Sequence, residues 1–94
     1  MKIFQSRSFE RRIKKFSKNE KELLDKQIRE IEKDPEIGEE KKGDLKGIFV
    51  HKFKVKTKQY LLAYRMFGGD LELIMIGSHE NYYKDLKIYL KTRK

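Results

Sequence analysis

The stretch GDLKGIFVHKFKVKTKQYLLAYRMFGGDLELIMIGSHENYY, Gly43 to Tyr83, decides the fold. From Ile48 the apolar period is two, which predicts a strand with two unlike faces. Phe49, His51, Phe53 and Val55 fall on one face; Val50, Lys52, Lys54 and Lys56 fall on the other. A turn near Thr57-Lys58 leads into a second run, Gln59 to Phe67. If that loop has two residues, Lys54 lies opposite Leu61, Lys52 opposite Ala63 and Val50 opposite Arg65. The lysine face then gains Arg65, and the reverse face packs Tyr60, Leu62, Tyr64 and Met66. Gly68-Gly69 suits a tight hairpin, because both residues tolerate positive φ. A two-residue turn there sets Arg65 against Glu72; a three-residue turn would flip the faces of the third strand. Leu71 to Ile76 is the most apolar run and is expected to be the central or best-buried strand.

Working outward, Lys2 to Gln5 reads as a short strand. Ser6 or Ser8 caps a first helix whose inner face is Phe9, Ile13 and Phe16. Ser17 followed by Glu20 is a capping box, so a second helix starts there. Its apolar positions are Leu23, Leu24, Ile28 and Ile31, and it ends near Asp34 because Pro35 disfavours helical geometry before it. A tight turn makes the two helices an antiparallel pair. Residues 35 to 47 read as a polar loop. After the third strand, Glu80 to Leu90 reads as a C-terminal helix, with Tyr83, Leu86 and Leu90 at helical spacing. The expected fold is α+β, in the order β-α-α-β-β-β-α. It is one small domain over residues 1 to 94 with a twisted, mainly antiparallel sheet of about four strands. The two N-terminal helices pack on one side.

Ninety-four residues without cysteine exclude a disulfide framework and any cysteine-based metal site. No apolar run approaches the ~18 residues a membrane span needs, and the N-terminus lacks a secretory h-region. A cytoplasmic protein with no membrane contact is the expectation. The net charge is +9. Residues 20 to 40 carry nine acidic and four basic residues, a net of −5, so the remainder carries +14. Segregation of this kind points to a face for a polyanion rather than to solubility alone.

Cleavage of an RNA phosphodiester needs cations beside the phosphate and a group that moves protons near neutral pH. Lys52 and Lys54, two apart on one strand, bring two ammonium groups to one face about 6–7 Å apart. Lys56 extends the stripe as a backbone contact. His79 is the natural proton shuttle, with an ordinary pKa near 6.5. Tyr83, four residues on, shares its side of a helix if the helix has begun at His79, and can stack on a base. For each of these a structural reading stands beside the functional one: a solvated strand face for the lysines, a strand-end histidine, a core aromatic. His51 shares its face with Phe49, Phe53 and Val55 and reads as a partly buried, satisfied histidine. Two distant histidines offer no metal constellation.

The element order, together with LKG (Leu45 to Gly47), HKFKVK (His51 to Lys56), YLLAYR (Tyr60 to Arg65) and GSHENYY (Gly77 to Tyr83), resembles the RelE/ParE superfamily of bacterial toxins over nearly the whole chain. The resemblance implies the toxin of a type II toxin–antitoxin pair, with a small antitoxin protein as partner and no cofactor. For the RelE-like branch it implies a metal-independent endoribonuclease that cleaves mRNA on the ribosome, with the 2′-hydroxyl as nucleophile. For the ParE-like branch it implies a poison of DNA gyrase without nuclease chemistry. On the first reading, Lys52 and Lys54 fall where such toxins hold the mRNA phosphate. His79 resembles the catalytic histidine of the YafQ-like branch, and Tyr83 falls where an aromatic closes the motif. Leu61 stands where RelE carries a catalytic arginine, and Arg65 is the candidate replacement charge.

Overall fold

A computed structural model describes residues 1–78 and 80–92. Five strands form one mixed sheet in the order β1-β5-β4-β3-β2, with β1 at Ile3–Gln5, β2 at Glu39–Glu40, β3 at Phe49–Val55, β4 at Lys58–Phe67 and β5 at Asp70–Gly77. Only the β1–β5 pair is parallel. Helices α1 (Arg7–Ile13) and α2 (Lys18–Lys33) precede β2, and α3 (Tyr82–Thr92) closes the described chain. The α+β class and the order of the main elements agree with expectation. The sheet has one strand more than expected, because residues 39 and 40 of the supposed loop pair with Val50 and Phe49. A 3₁₀ turn at Gly43–Leu45 occupies the rest of that segment.

Both helix starts follow from their caps. Ser6 accepts the Phe9 N–H at 3.0 Å and donates its hydroxyl to the Ile74 carbonyl, so one side chain ties α1 to β5. Ser17 and Glu20 form the reciprocal box, with N–H···O distances of 2.8 and 3.2 Å. Helix α1 ends at Ile13, so Phe16 packs on the core from the connecting turn rather than from the helix.

The sheet is covered on both faces. Phe9, Leu24 and Ile31 from the helices meet Phe53, Val55, Tyr60, Leu62 and Tyr64 on the first face. On the second face, Tyr82 and Leu86 of α3 meet Val50, Ala63, Ile74 and Met75, with Leu45 and Ile48 closing the edge. Residues Leu71 to Ile76 serve both faces by alternation, and a bulge shifts their phase partway along β5. Tyr64 pairs with Leu73 and Ala63 with Met75, leaving Ile74 as an extra residue. Leu71 and Leu73 therefore join the helix-side core, Ile74 and Met75 the α3 side, and Ile76 the helix side again. β5 is the best-buried strand, whereas β4 is the central one.

The β3–β4 register differs from the expected one by two residues. Lys52 pairs with Leu61, Lys54 with Gln59 and Val50 with Ala63. The turn is Lys56-Thr57, with Lys56 at φ 60°, rather than Thr57-Lys58. A shift of two preserves which side chains share a face, so the two-faced reading of β3 survives. Gly68-Gly69 makes the two-residue turn, both at positive φ, and Arg65 pairs with Glu72 as expected.

Tyr64, fully buried, latches the segment before β2. Its hydroxyl donates to the Pro35 carbonyl at 2.7 Å and accepts the Gly38 N–H at 3.0 Å. A Cβ at Gly38 would stand 2.8 Å from that oxygen, which is why the position has no side chain. Tyr64→Phe strands both backbone groups, so we expect a loss of about 1–3 kcal/mol. Urea denaturation measures it as a lowered midpoint with an unchanged slope; an unchanged midpoint would remove the latch from the account.

Candidate functional site

The second face carries the candidate site. Lys52, Leu61 and Gly77 are successive partners across β3, β4 and β5, so they form one row perpendicular to the strands. Strand spacing puts the Lys52 and Gly77 backbones about 10 Å apart. Lys52 and Lys54 are both exposed. Ser78, exposed, follows the last β4–β5 pair at Leu61–Gly77. His79, the expected proton shuttle, lies outside the described residues.

Tyr83 belongs to the first turn of α3, which begins at Tyr82. Its ring stands edge-on to Tyr82 at 5.5 Å. Tyr82 is buried and donates to the Met75 carbonyl at 2.8 Å, and burial pushes its hydroxyl far above the usual phenol range. The anchor of α3 is thus Tyr82 with Leu86, while Tyr83 is left half-buried at the edge of the core.

Two residues that sequence reasoning left in a loop join this site. The Lys41 ammonium sits 4.9 Å from the centre of the Tyr83 ring and pairs with the Glu39 carboxylate. The bond to Glu39 and, after burial is discounted, contact with Tyr83 hold its pKa above the ordinary lysine value. Glu39 is held below the usual carboxylate range, chiefly by Lys41, with a smaller contribution from Lys52. Glu39 of β2 and Lys41 just after it therefore link Lys52 electrostatically to Tyr83. The available signal was the alternation of Glu39 and Lys41, too short to separate from a polar loop.

Two expected members, Arg65 and Lys56, stand elsewhere, and Leu61, half-buried against the α3-side core, occupies the row without a charge. Arg65 lies four residues further along β4, about 13 Å away. Its Nε donates to Glu72 at 2.6 Å, and its guanidinium lies 5.5 Å from the Phe67 ring centre. Lys56 does not continue the lysine stripe, because the turn reverses the chain there and its charge acts on Glu20 of α2.

His51 faces the helices. Its Nε2 is 2.7 Å from Gln27 Oε1, and its ring stacks on Phe53 at 6.0 Å. Burial lowers its pKa, so the neutral ring is favoured in the fold. The unfolded chain then takes up the proton first as pH drops. This stabilisation is complete above about pH 6.5 and fades below it. We expect the thermal midpoint to fall between pH 7 and 5.5, and the fall to shrink in His51→Phe. An identical slope in the variant would contradict this. Among the described residues no three His, Asp or Glu side chains gather as a metal site. No helix among them is long and apolar enough to cross a membrane.

A family model described as "ParE-like toxin of type II bacterial toxin-antitoxin system" matches residues 3–87. No curated protein matches the sequence. The fold is similar to a chain of the crystal structure of the intact E. coli RelBE toxin–antitoxin complex. There the TM-score is 0.67 at 20% identity, covering 84% of this chain and 96% of that one. It is also similar to the isolated E. coli RelE toxin, with a TM-score of 0.65 at 20% identity, covering 93% and 96%.

Proposed function

The chain belongs to the ParE-like toxins of type II bacterial toxin–antitoxin systems, and from that premise we propose that it cleaves messenger RNA on the ribosome. The observation that carries this reading is the row from Lys52 through Leu61 to Gly77, with Lys54 beside it. The 2′-oxygen loses its proton and attacks phosphorus, the bond from phosphorus to the 5′-oxygen breaks, and that oxygen leaves with a proton. Lys52 and Lys54 hold the phosphate and offset its growing negative charge. His79 moves the protons. Tyr83, kept in place by Tyr82 and by the Lys41 ammonium, supports the nucleotide. Growth arrest follows from lost translation in the cytoplasm. A cognate antitoxin rich in acidic residues covers the basic face and silences it; the intact RelBE assembly supports such a partner by analogy of fold.

The test is translation in vitro with purified protein, followed by primer extension on the message. Discrete, toxin-dependent stops within codons are expected. The second reading is a gyrase poison that acts by binding alone. It is favoured by the uncharged Leu61 in the middle of the row. Inhibition of DNA supercoiling without any cut in the message would establish that reading in place of the first.

A further inference from the structure

On the helix side of the sheet, at the end of β5, a cleft of about 450 Å³ opens between the end of α1 and β4. We propose that this cleft is a subsite for the sugar–phosphate backbone and a base of single-stranded RNA, adjoining the nucleotide held by Lys52 and Lys54. The proposal rests on the ribonuclease reading above. Three cations line the cleft: Arg12 from the end of α1, Lys15 from the turn that follows it, and Lys58 from the start of β4. The one carboxylate there, Glu20, is already engaged. One oxygen accepts the Ser17 N–H at 2.8 Å and the other the Tyr60 hydroxyl at 3.4 Å. Those bonds hold it below the ordinary carboxylate range. The lining therefore keeps a net positive charge.

The walls suit a nucleotide. Phe16 and Tyr60 stand 5.3 Å apart, and Phe16 is only half-buried, so its ring remains open to a base. Continuity sets the direction of the strand. Gly77 closes the Lys52–Leu61 row and also lines this cleft, together with Ser78. A strand crossing the rim of the sheet at Gly77–Ser78 passes from the lysine pair to Arg12 and Lys15. An acidic protein segment would use the same cations but would have no use for the ring.

The test measures binding of a short labelled single-stranded RNA to the purified protein by fluorescence anisotropy across a salt series. Arg12→Ala/Lys15→Ala is expected to reduce the slope of log affinity against log salt by about 1.4, roughly 0.7 for each lost phosphate contact. Lys26→Ala/Lys33→Ala on α2, matched in charge but away from the cleft, is expected to change it far less. Phe16→Leu should weaken binding with the slope unchanged. All four basic side chains are exposed, and thermal midpoints check that the variants fold. Equal slopes for the two double variants would overturn the subsite. So would dependence of poly-glutamate binding, but not RNA binding, on Arg12 and Lys15. Message cleavage by the wild type is scored separately, so failure of the ribonuclease reading shows as absent cleavage rather than as an altered slope.

Discussion

Alanine at both Lys52 and Lys54 is expected to reduce message cleavage by about 10²-fold or more, the scale seen when a charge-stabilising group is removed from a transition state. Both side chains are exposed, and among the described residues neither takes part in a core cluster, so the fold survives their loss. The effect is chemical, and growth arrest on induction should vanish with it. Lys56→Ala supplies the contrast. It sits in the β3–β4 turn at positive φ, outside the Lys52–Gly77 row, so its loss should leave cleavage within a few-fold. His79→Ala is expected to join the double lysine variant. Full cleavage by Lys52→Ala/Lys54→Ala in the primer-extension assay would end the assignment of this face to the phosphate.

The second large effect concerns the fold itself. Helix α1 has seven residues and buries one of them, Phe9, completely. So short a helix has little stability of its own and forms because that ring enters the core against β5. Phe9→Ala removes the ring and leaves a cavity, at a cost of about 3–5 kcal/mol. A domain of this size holds only about 5–15 kcal/mol in total. The variant is therefore expected to be partly unfolded at growth temperature, with a denaturation midpoint well below that of Tyr64→Phe. A midpoint equal to the wild type would mean that α1 is held by its Ser6 cap alone.

Much of this architecture was legible because its signals are local. The Ser17–Glu20 box, the period of two in β3 and the Gly68-Gly69 turn each specify backbone geometry within a few residues. Face assignment in β3 survived a wrong turn position because side chains repeat every second residue, and the error was even. Strand β2 was not legible: two glutamates carry no strand preference, and their pairing depends on the Tyr64 latch, which is 26 residues distant in the chain. The bulge was equally silent, since a run of apolar residues looks the same with or without an unpaired member. At the site, exposure of Lys52 and Lys54 followed from alternation. Lys56 was misread because a left-handed turn residue cannot be told from a strand residue by its type. Lys41 and Glu39 were missed with β2. The acidic segment falls on α2 and the edge strand β2, and the rest of the chain is basic.

The extra residue in β5 behaves like an expansion joint. On its hairpin side, register is dictated by the glycine turn and by Arg65 meeting Glu72; on its other side, by Leu61 meeting Gly77. Slack introduced near the hairpin can be taken up at Ile74 without moving the row that ends at Gly77. Insertions or deletions at the hairpin should thus be absorbed before they reach the end of the sheet that carries the candidate site. The same kind of change between Met75 and Gly77 has no such relief and would displace every residue after it.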